Sequence, residues 1–215
     1  MKKQNQTTIV YEELKKRIET GYYSPAESLP EIELANEYNV SRNTIKKALL
    51  MLEKDSFVSI EQNKGAKVRS YSKREVMEFL ELREELEGFI IRLSVPSIDQ
   101  EGIDKMRVLL KEMEECCRKA DLLGYSSRNH AFHSTIYSYC PNRTTVDFTI
   151  RLKNQMRKYN SKTILIPGRD TSSLQEHRQI LESIEKRDIQ LAEEYMRRHI
   201  RNVRNIFENY YSFLF

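Results

Sequence analysis

Length, composition and charge restrict the class of protein. The 215 residues are enough for one large domain or two modest ones, and no apolar run reaches the roughly 18 residues that a membrane span requires. The N-terminus, MKKQNQTTIVYEELKK, has no apolar stretch typical of a signal peptide, so we expect a cytoplasmic protein that does not contact membranes. Cys116, Cys117 and Cys140 lack metal-binding spacing, and we expect them to be reduced.

The positive charge is concentrated in one short segment. The whole chain has a formal net charge of +4, and residues 38–71 alone contain seven Lys or Arg and three acids. This segment therefore carries a charge of +4 by itself, and the rest of the chain is near neutral. Such a concentration of basic charge is typical of a surface that binds phosphate groups.

Helical spacing and turn signals predict the elements of residues 1–71. A helix over 7–20 ends at Gly21 and is followed by a turn-rich connector and two short helices, EIELANEY and SRNTIKKALLMLEKD. After Asp55, the sequence FVSIEQNKGAKVR predicts two short strands joined by a hairpin turn at residues 62–65. This chain order is that of a winged helix-turn-helix domain, which we place at residues 1–71.

The remainder of the chain, residues 72–215, contains almost no strand signal. Its periodicity predicts helices at 73–95, 99–119, 121–140, 143–161, 172–187 and 188–213. Ser172 and Ser173 are the expected N-caps of the fifth of these helices. The expected fold class is therefore mainly α, with an N-terminal winged helix-turn-helix and a C-terminal all-α helical-bundle effector domain.

The segment Leu29–Val68 resembles the winged helix of GntR-type bacterial repressors. It contains an L-x-E-x-x-L-A helix, V-S-R at the start of the next helix, A-L-x-x-L at its end and N-x-G in the wing. The C-terminal half resembles the FCD effector domain of the FadR-type branch, through ELREELE, NHAFH, EH and MRRHI. The resemblance implies a ligand-responsive transcriptional regulator, most often a repressor. Three positions depart from the family pattern: Asn43-Thr44 replaces Thr-Pro, Lys46 replaces Arg, and Asn129 replaces Asp.

The first turn of the second short helix carries the residues expected to contact DNA. Helix-turn-helix proteins contact base edges with the N-terminal residues of this helix. Ser41 can cap the helix, Arg42 can donate two hydrogen bonds to guanine, and Asn43 can pair with adenine or contact the backbone. The full expected set is Ser41, Arg42, Asn43, Thr44, Lys46, Lys47, Lys64, Gly65 and Lys67. A single module binds weakly, so we expect a homodimer on a palindromic, double-stranded DNA operator.

Three of the four histidines lie where helical periodicity favours an apolar residue. His133, His177 and His199 fall on the inward faces of three predicted helices, and Asn129 lies one turn before His133 on the same face. Three imidazoles and an amide oxygen suit a divalent metal ion, zinc or nickel, and their positions match the family's metal motif. The alternative is that these histidines are ordinary core residues. His130 falls off the stripe and is expected at the surface.

Arg83 interrupts an apolar row on the helix REVMEFLELREELEGFIIRL. A buried guanidinium needs an anionic partner. Arg83 either pairs with Glu87 or another acid or, as the resemblance implies, binds the carboxylate of a small organic acid that rests on the metal. Arg157 is a second candidate for the effector site. Tyr125 is a third, unless it is simply a core residue.

Two other functions remain open. A metal-dependent hydrolase would need a general base beside the metal, and no Glu or Asp lies on the inward stripes of the histidine helices. Alternatively, the C-terminal domain only dimerises, and its histidines are merely packed. We expect a regulator that is not an enzyme.

Overall fold

A computed structural model describes residues 5–61, 65–156, 159 and 162–214. The chain divides into two compact units, Met1–Ser72 and Lys73–Phe215. Two of the expected site residues, Lys64 and Arg157, lie outside the described residues, as do residues 62–64 of the predicted hairpin turn. Among the described residues, no helix combines the length and the apolar character needed to cross a membrane.

The first unit has the predicted chain order and one additional strand. Its elements are α1 (Gln6–Thr20), β1 (Ser28–Leu29), α2 (Glu31–Glu37), α3 (Arg42–Lys54), β2 (Val58–Glu61) and β3 (Gly65–Val68). The strand β1 was not predicted, because two residues are too short to show a periodicity. It pairs antiparallel with β3, and β3 pairs antiparallel with β2, which gives the strand order β1-β3-β2.

The apolar stripe of α3 anchors that helix in the first unit. Ile45, Ala48, Leu49 and Leu52 are at most 1% exposed, and α3 packs against α1 and α2. The predicted stop of α1 is confirmed, because Gly21 caps it with a φ of +81°, a left-handed conformation that glycine adopts without strain. Burial of the stripe leaves the polar residues in the first turn of α3 facing solvent.

The second unit is an all-helical bundle. Its elements are α4 (Lys73–Ser94), α5 (Gln100–Arg118), α6 (Leu122–Ser138), α7 (Arg143–Gln155), a 3-10 helix (Thr163–Leu165), α8 (Arg169–Glu185) and α9 (Ile189–Leu214). Helix α4 packs chiefly against α9, and α5 packs against α6 and α8. The core between them includes Ile91, Phe132, Ile136, Ile180, Met196 and Ile200, all fully buried.

Two helix boundaries in the second unit differ from the prediction. Helix α7 ends at Gln155, before the predicted end at residue 161. Helix α8 begins at Arg169, so Ser172 and Ser173 lie inside it, and the prediction that they are its N-caps is wrong. Gly168 occupies the N-cap with a φ of +78°, which allows the chain to enter the helix three residues earlier. Periodicity and cap preference do not reveal such a backbone conformation.

Candidate metal centre and recognition helix

Three buried histidines from three helices converge in the second unit. His133 lies on α6, His177 on α8 and His199 on α9, and each is at most 2% exposed. One ring nitrogen of each lies within 4.8 Å of the corresponding atoms of the other two, and the Nε2 atoms of His133 and His177 are 3.3 Å apart. The structure thus brings together the imidazoles that periodicity assigned to separate inward faces.

Each of these imidazoles uses Nδ1 for a hydrogen bond to an acceptor outside the trio. His133 Nδ1 is 2.7 Å from Glu87 Oε2, and His199 Nδ1 is 2.6 Å from Glu176 Oε2. His177 Nδ1 is 2.6 Å from the backbone carbonyl oxygen of Ser173. Because carbonyls and ionised carboxylates only accept hydrogen bonds, Nδ1 carries the proton in each neutral ring. Nε2 then presents a lone pair.

Burial lowers the pKa of all three imidazoles. For His133, burial brings the pKa to about 3, even though the neighbouring Glu87 acts in the opposite direction. Burial also lowers the pKa values of His177 and His199. The rings are therefore neutral near pH 7, and their Nε2 lone pairs share a small volume. Such an arrangement is unfavourable by itself and becomes favourable when a cation lies between the nitrogens.

Glu87 forms a charged cluster on the Nδ1 side of His133. Its carboxylate accepts a hydrogen bond from Arg83 Nε and lies 3.5 Å from Lys153 Nζ. Burial alone would raise the pKa of Glu87, but the charges of Arg83 and Lys153 hold it well below its usual range. Arg83 thus has in Glu87 the anionic partner that its burial requires. Lys153 also donates a hydrogen bond to the Tyr137 hydroxyl at 2.8 Å, and burial lowers the pKa of Lys153 to about 8.

Glu176 fixes the third imidazole, His199, in a similar way. Both of its carboxylate oxygens accept hydrogen bonds from Arg169, at 2.8 and 2.9 Å, and Asn202 donates to the same carboxylate at 2.9 Å. Burial raises the pKa of Glu176, but the hydrogen bonds from His199 and Arg169 outweigh it and lower the pKa to about 2. Glu176 is therefore ionised and holds the orientation of the His199 ring.

Helix α6 carries a buried polar atom that lacks a partner within the part of the chain that the structure describes. It is Asn129 Oδ1. Tyr125, Asn129 and His133 are spaced by four residues, so they share one helix face. Buried polar atoms of folded proteins nearly always have a protein, water or ion partner. Asn129 Oδ1 is therefore available to a ligand on the same face as His133.

The donor set fits a divalent metal ion. Imidazole ligands of such ions usually donate the opposite ring nitrogen to a carboxylate or a backbone carbonyl, as all three histidines do here. Asn129 Oδ1 offers a neutral oxygen as a fourth ligand. The fourth histidine, His130, is exposed, as predicted.

In the first unit, α3 presents its first turn to solvent. Ser41 Oγ accepts a hydrogen bond from the backbone N–H of Thr44 at 3.1 Å, so the predicted N-cap is confirmed. The hydroxyl groups of these two residues are also 2.8 Å apart. The Arg42 side chain is 66% exposed and makes only a long contact of 3.9 Å to Glu31 among the described ion pairs. The exposed members of the predicted set on this helix are Arg42, Asn43, Lys46 and Lys47.

The wing places two further residues of the predicted set on β3. Gly65 is exposed and has a φ of +79°, which favours glycine at this position. Lys67 is half-buried and pairs with Ser28 on one side and Ser59 on the other. The structure therefore leaves Gly65 more accessible than Lys67.

Two family profiles match this chain. The profile "Bacterial regulatory proteins, gntR family" matches residues 6–68, and the profile "FCD domain" matches residues 78–202. The chain belongs to the GntR family. It is a DNA-binding transcriptional regulator of that family with an FCD effector-binding domain.

Known proteins similar to this GntR-family chain are transcriptional regulators. The HTH-type transcriptional regulator YdhC of Bacillus subtilis is 27% identical, over 88% of this chain and 85% of that protein. The HTH-type transcriptional repressor GlaR of Escherichia coli is 24% identical, over 88% of this chain and 90% of that protein. The structure of Escherichia coli McbR/YncC has a TM-score of 0.78 and 19% identity, and the match covers 97% of this chain and all of that one. At this identity, the structural likeness shows the fold alone.

The sequence analysis did not predict the two carboxylates, Glu87 and Glu176, that bond to the histidines. It found no Glu or Asp on the inward stripes of the histidine helices. In the structure, Glu87 reaches His133 from α4, and Glu176, which precedes His177 on α8, bonds to His199. The family segments ELREELE and EH contained the signal. Both carboxylates are ionised and engaged by a histidine and by cations, so neither has the raised pKa or the free oxygen that a general base needs.

Proposed function

We propose that this GntR-family protein is a repressor whose affinity for a palindromic operator changes when its FCD domain binds a divalent metal ion and a small organic acid. Two copies of the chain form the DNA-binding homodimer. The observation that carries the proposal is the convergence of three neutral imidazoles, each with Nδ1 occupied by an acceptor and Nε2 available.

The metal would be held by His133, His177, His199 and Asn129. The imidazoles favour zinc or nickel over magnesium or calcium, which prefer oxygen ligands. When bound, an ion of this type supplies open coordination positions to a carboxylate. The protein residues keep the imidazoles oriented and exclude bulk water, because the three rings are almost fully buried.

The effector would meet cationic and polar groups around the imidazoles. Arg83, Tyr125 and Arg157 are the proposed contacts, and the burial of Tyr125 on the same face of α6 as His133 supports its place in this set. The gluconate operon transcriptional repressor of Bacillus licheniformis is 30% identical over 125 residues, which are 58% of this chain. Gluconate is a carboxylic acid, so this relative supports an organic acid as the effector class. Its name, like that of GlaR, also supports repression.

The DNA contacts would come from the first turn of α3 and from the wing. Arg42 and Asn43 are proposed to contact base edges, while Ser41 and Thr44 hold the start of the helix in place. The remaining proposed contacts are Lys46, Lys47, Lys64, Gly65 and Lys67. Two half-sites are proposed because one winged helix buries too little surface for tight and specific binding. Coupling to the effector is reciprocal: an acid that weakens DNA binding binds less tightly to the DNA-bound protein.

Metal analysis of protein purified without a histidine tag tests the centre. We expect about one equivalent of metal per chain, either as isolated or after treatment with EDTA and reloading with zinc or nickel. The His177→Ala variant should lose this metal, whereas His130→Ala, which removes an exposed histidine of the same chain, should retain it. If the wild-type protein takes up neither zinc, nickel nor manganese, the FCD domain is better explained as a dimerisation module.

A thermal-shift screen of organic and sugar acids, with and without metal, tests the effector. An acid that binds the folded state raises the melting temperature. Any acid found in this way should change operator affinity in footprinting, and His177→Ala should abolish the change. An acid that stabilises the protein but leaves operator binding unchanged would contradict the regulatory part of the proposal.

A further inference from the structure

We propose that the effector centre selects doubly charged carboxylates over singly charged ones, and that Lys153 and Asn129 set this preference. The inference rests on the metal and effector function proposed above. Lys153 was not among the predicted site residues, and Asn129 was predicted only as a metal ligand.

Among the described residues, the charged side chains around the imidazoles have a net positive charge. Glu87 is engaged by two cations, Arg83 and Lys153, whereas Glu176 is engaged by one, Arg169. Three positive and two negative side chains leave a net charge of +1 beside three neutral rings. All five groups are at least largely buried: the side chain of Lys153 is 12% exposed, that of Glu176 is 11% exposed, and the other three are less exposed.

The surplus charge lies next to the metal-binding rings. Glu87, which Arg83 and Lys153 engage, bonds to His133 at 2.7 Å, and Glu176, which Arg169 engages, bonds to His199 at 2.6 Å. A divalent ion bound between the rings brings the local net charge to +3.

Asn129 is neutral and does not reduce the net positive charge of the centre. A carboxylate at the same position would remove one positive charge, but an amide removes none, and its buried Oδ1 makes no bond within the described chain. A buried excess of positive charge is costly unless an anion compensates it. A monocarboxylate compensates one charge and leaves two, whereas a dicarboxylate compensates two and leaves one.

Lys153 would act as the second anion receptor. Its ammonium is shared between Glu87, at 3.5 Å, and the hydroxyl of Tyr137, at 2.8 Å. Arg83 alone would neutralise Glu87, so the charge of Lys153 is the one left over. A second carboxylate on the ligand would compensate this charge.

Pairs of ligands that differ by one charge test the inference. Isothermal titration calorimetry on the zinc-loaded full-length chain would compare malonate, succinate and malate with their half-amides, which keep the skeleton and remove one charge. For the skeleton that binds most tightly, we expect the dianion to bind at least about tenfold more tightly than the half-amide. Lys153→Met and Asn129→Asp should each reduce this ratio about tenfold, because each removes one unit of positive charge from the centre.

Three controls separate charge from folding and from loss of metal. Lys153→Arg keeps the charge and should keep the ratio. Lys105→Met removes a lysine exposed on α5 and should leave the ratio unchanged. Zinc content is measured for every variant, and Asn129→Asp should retain zinc because a carboxylate is a stronger ligand than an amide.

The outcomes distinguish this inference from the proposed function. Equal affinity for both members of every pair, with zinc bound through the histidines, would overturn the charge preference and leave the metal function standing. Binding of neither member of any pair to zinc-loaded protein would also overturn it. Failure of the wild-type protein to bind metal would instead overturn the proposed function.

Discussion

Replacing Glu176 with Gln is expected to destabilise the FCD domain substantially. The carboxylate meets Arg169 through two hydrogen bonds, at 2.8 and 2.9 Å, and Arg169 is only 4% exposed. It also accepts hydrogen bonds from His199 and Asn202. Glutamine has almost the same shape but no charge, so the guanidinium would stay buried without a counter-ion.

The size of the effect follows from the burial of the pair. Removal of one partner of a buried ion pair costs about 3–5 kcal/mol, because the other charge is left uncompensated. Glutamine retains one oxygen that can accept a hydrogen bond, so we expect the lower end, about 3 kcal/mol. At about 2–4 °C per kcal/mol, the melting temperature should fall by roughly 6–12 °C.

Differential scanning calorimetry of the full chain in EDTA measures this change without a contribution from metal binding. Glu182→Gln, which changes an exposed glutamate on the same helix, is the matched control and should alter stability by less than about 0.5 kcal/mol.

The double variant Arg169→Met with Glu176→Leu removes both charges and should recover most of the loss, because apolar replacements of buried pairs are tolerated. A loss below about 1 kcal/mol for Glu176→Gln, or a double variant no more stable than the single one, would refute the reasoning.

Three further changes test the winged helix. Arg42→Ala should abolish operator-specific binding in footprinting while the melting temperature stays constant, since the side chain is largely exposed; an unchanged footprint would contradict its role. Ser41→Ala should lower the free energy of unfolding by about 1 kcal/mol in urea titrations, because the Thr44 N–H loses its cap; Ser41→Asn, which can cap, should restore it. Gly65→Ala should cost about 1–2 kcal/mol because of the positive φ, and not because of a clash, since no atom lies within 4 Å of the added carbon; an unchanged stability would show that the wing turn adapts.

The winged helix was largely predictable because its signals are local. Ile45, Leu49 and Leu52 repeat at helical spacing, and all three are buried as that spacing indicates. The Ser41 cap and the Gly21 stop involve only residues within a few positions of the helix end. The strand β1 was missed because it exists only through pairing with β3, some forty residues later in the chain.

The histidine stripes were also predictable, but their surroundings were not. Periodicity indicates that His133, His177 and His199 face inward, and the structure confirms that they are buried. It does not indicate which acceptor each Nδ1 meets. Glu87 lies 46 residues before His133 in the chain and reaches it from α4, and Glu176 bonds to His199 although it adjoins His177.

By itself, the sequence determined the order of the main helices, which side chains face inward and which family the chain resembles, because these properties depend on spacing along the chain. Only the tertiary structure decided that the three imidazoles meet, that Nε2 is the available nitrogen in each and that Arg83 and Lys153 together exceed the charge of Glu87. Distances between side chains on different helices depend on how the helices pack, and packing is a property of the whole bundle that no local spacing encodes.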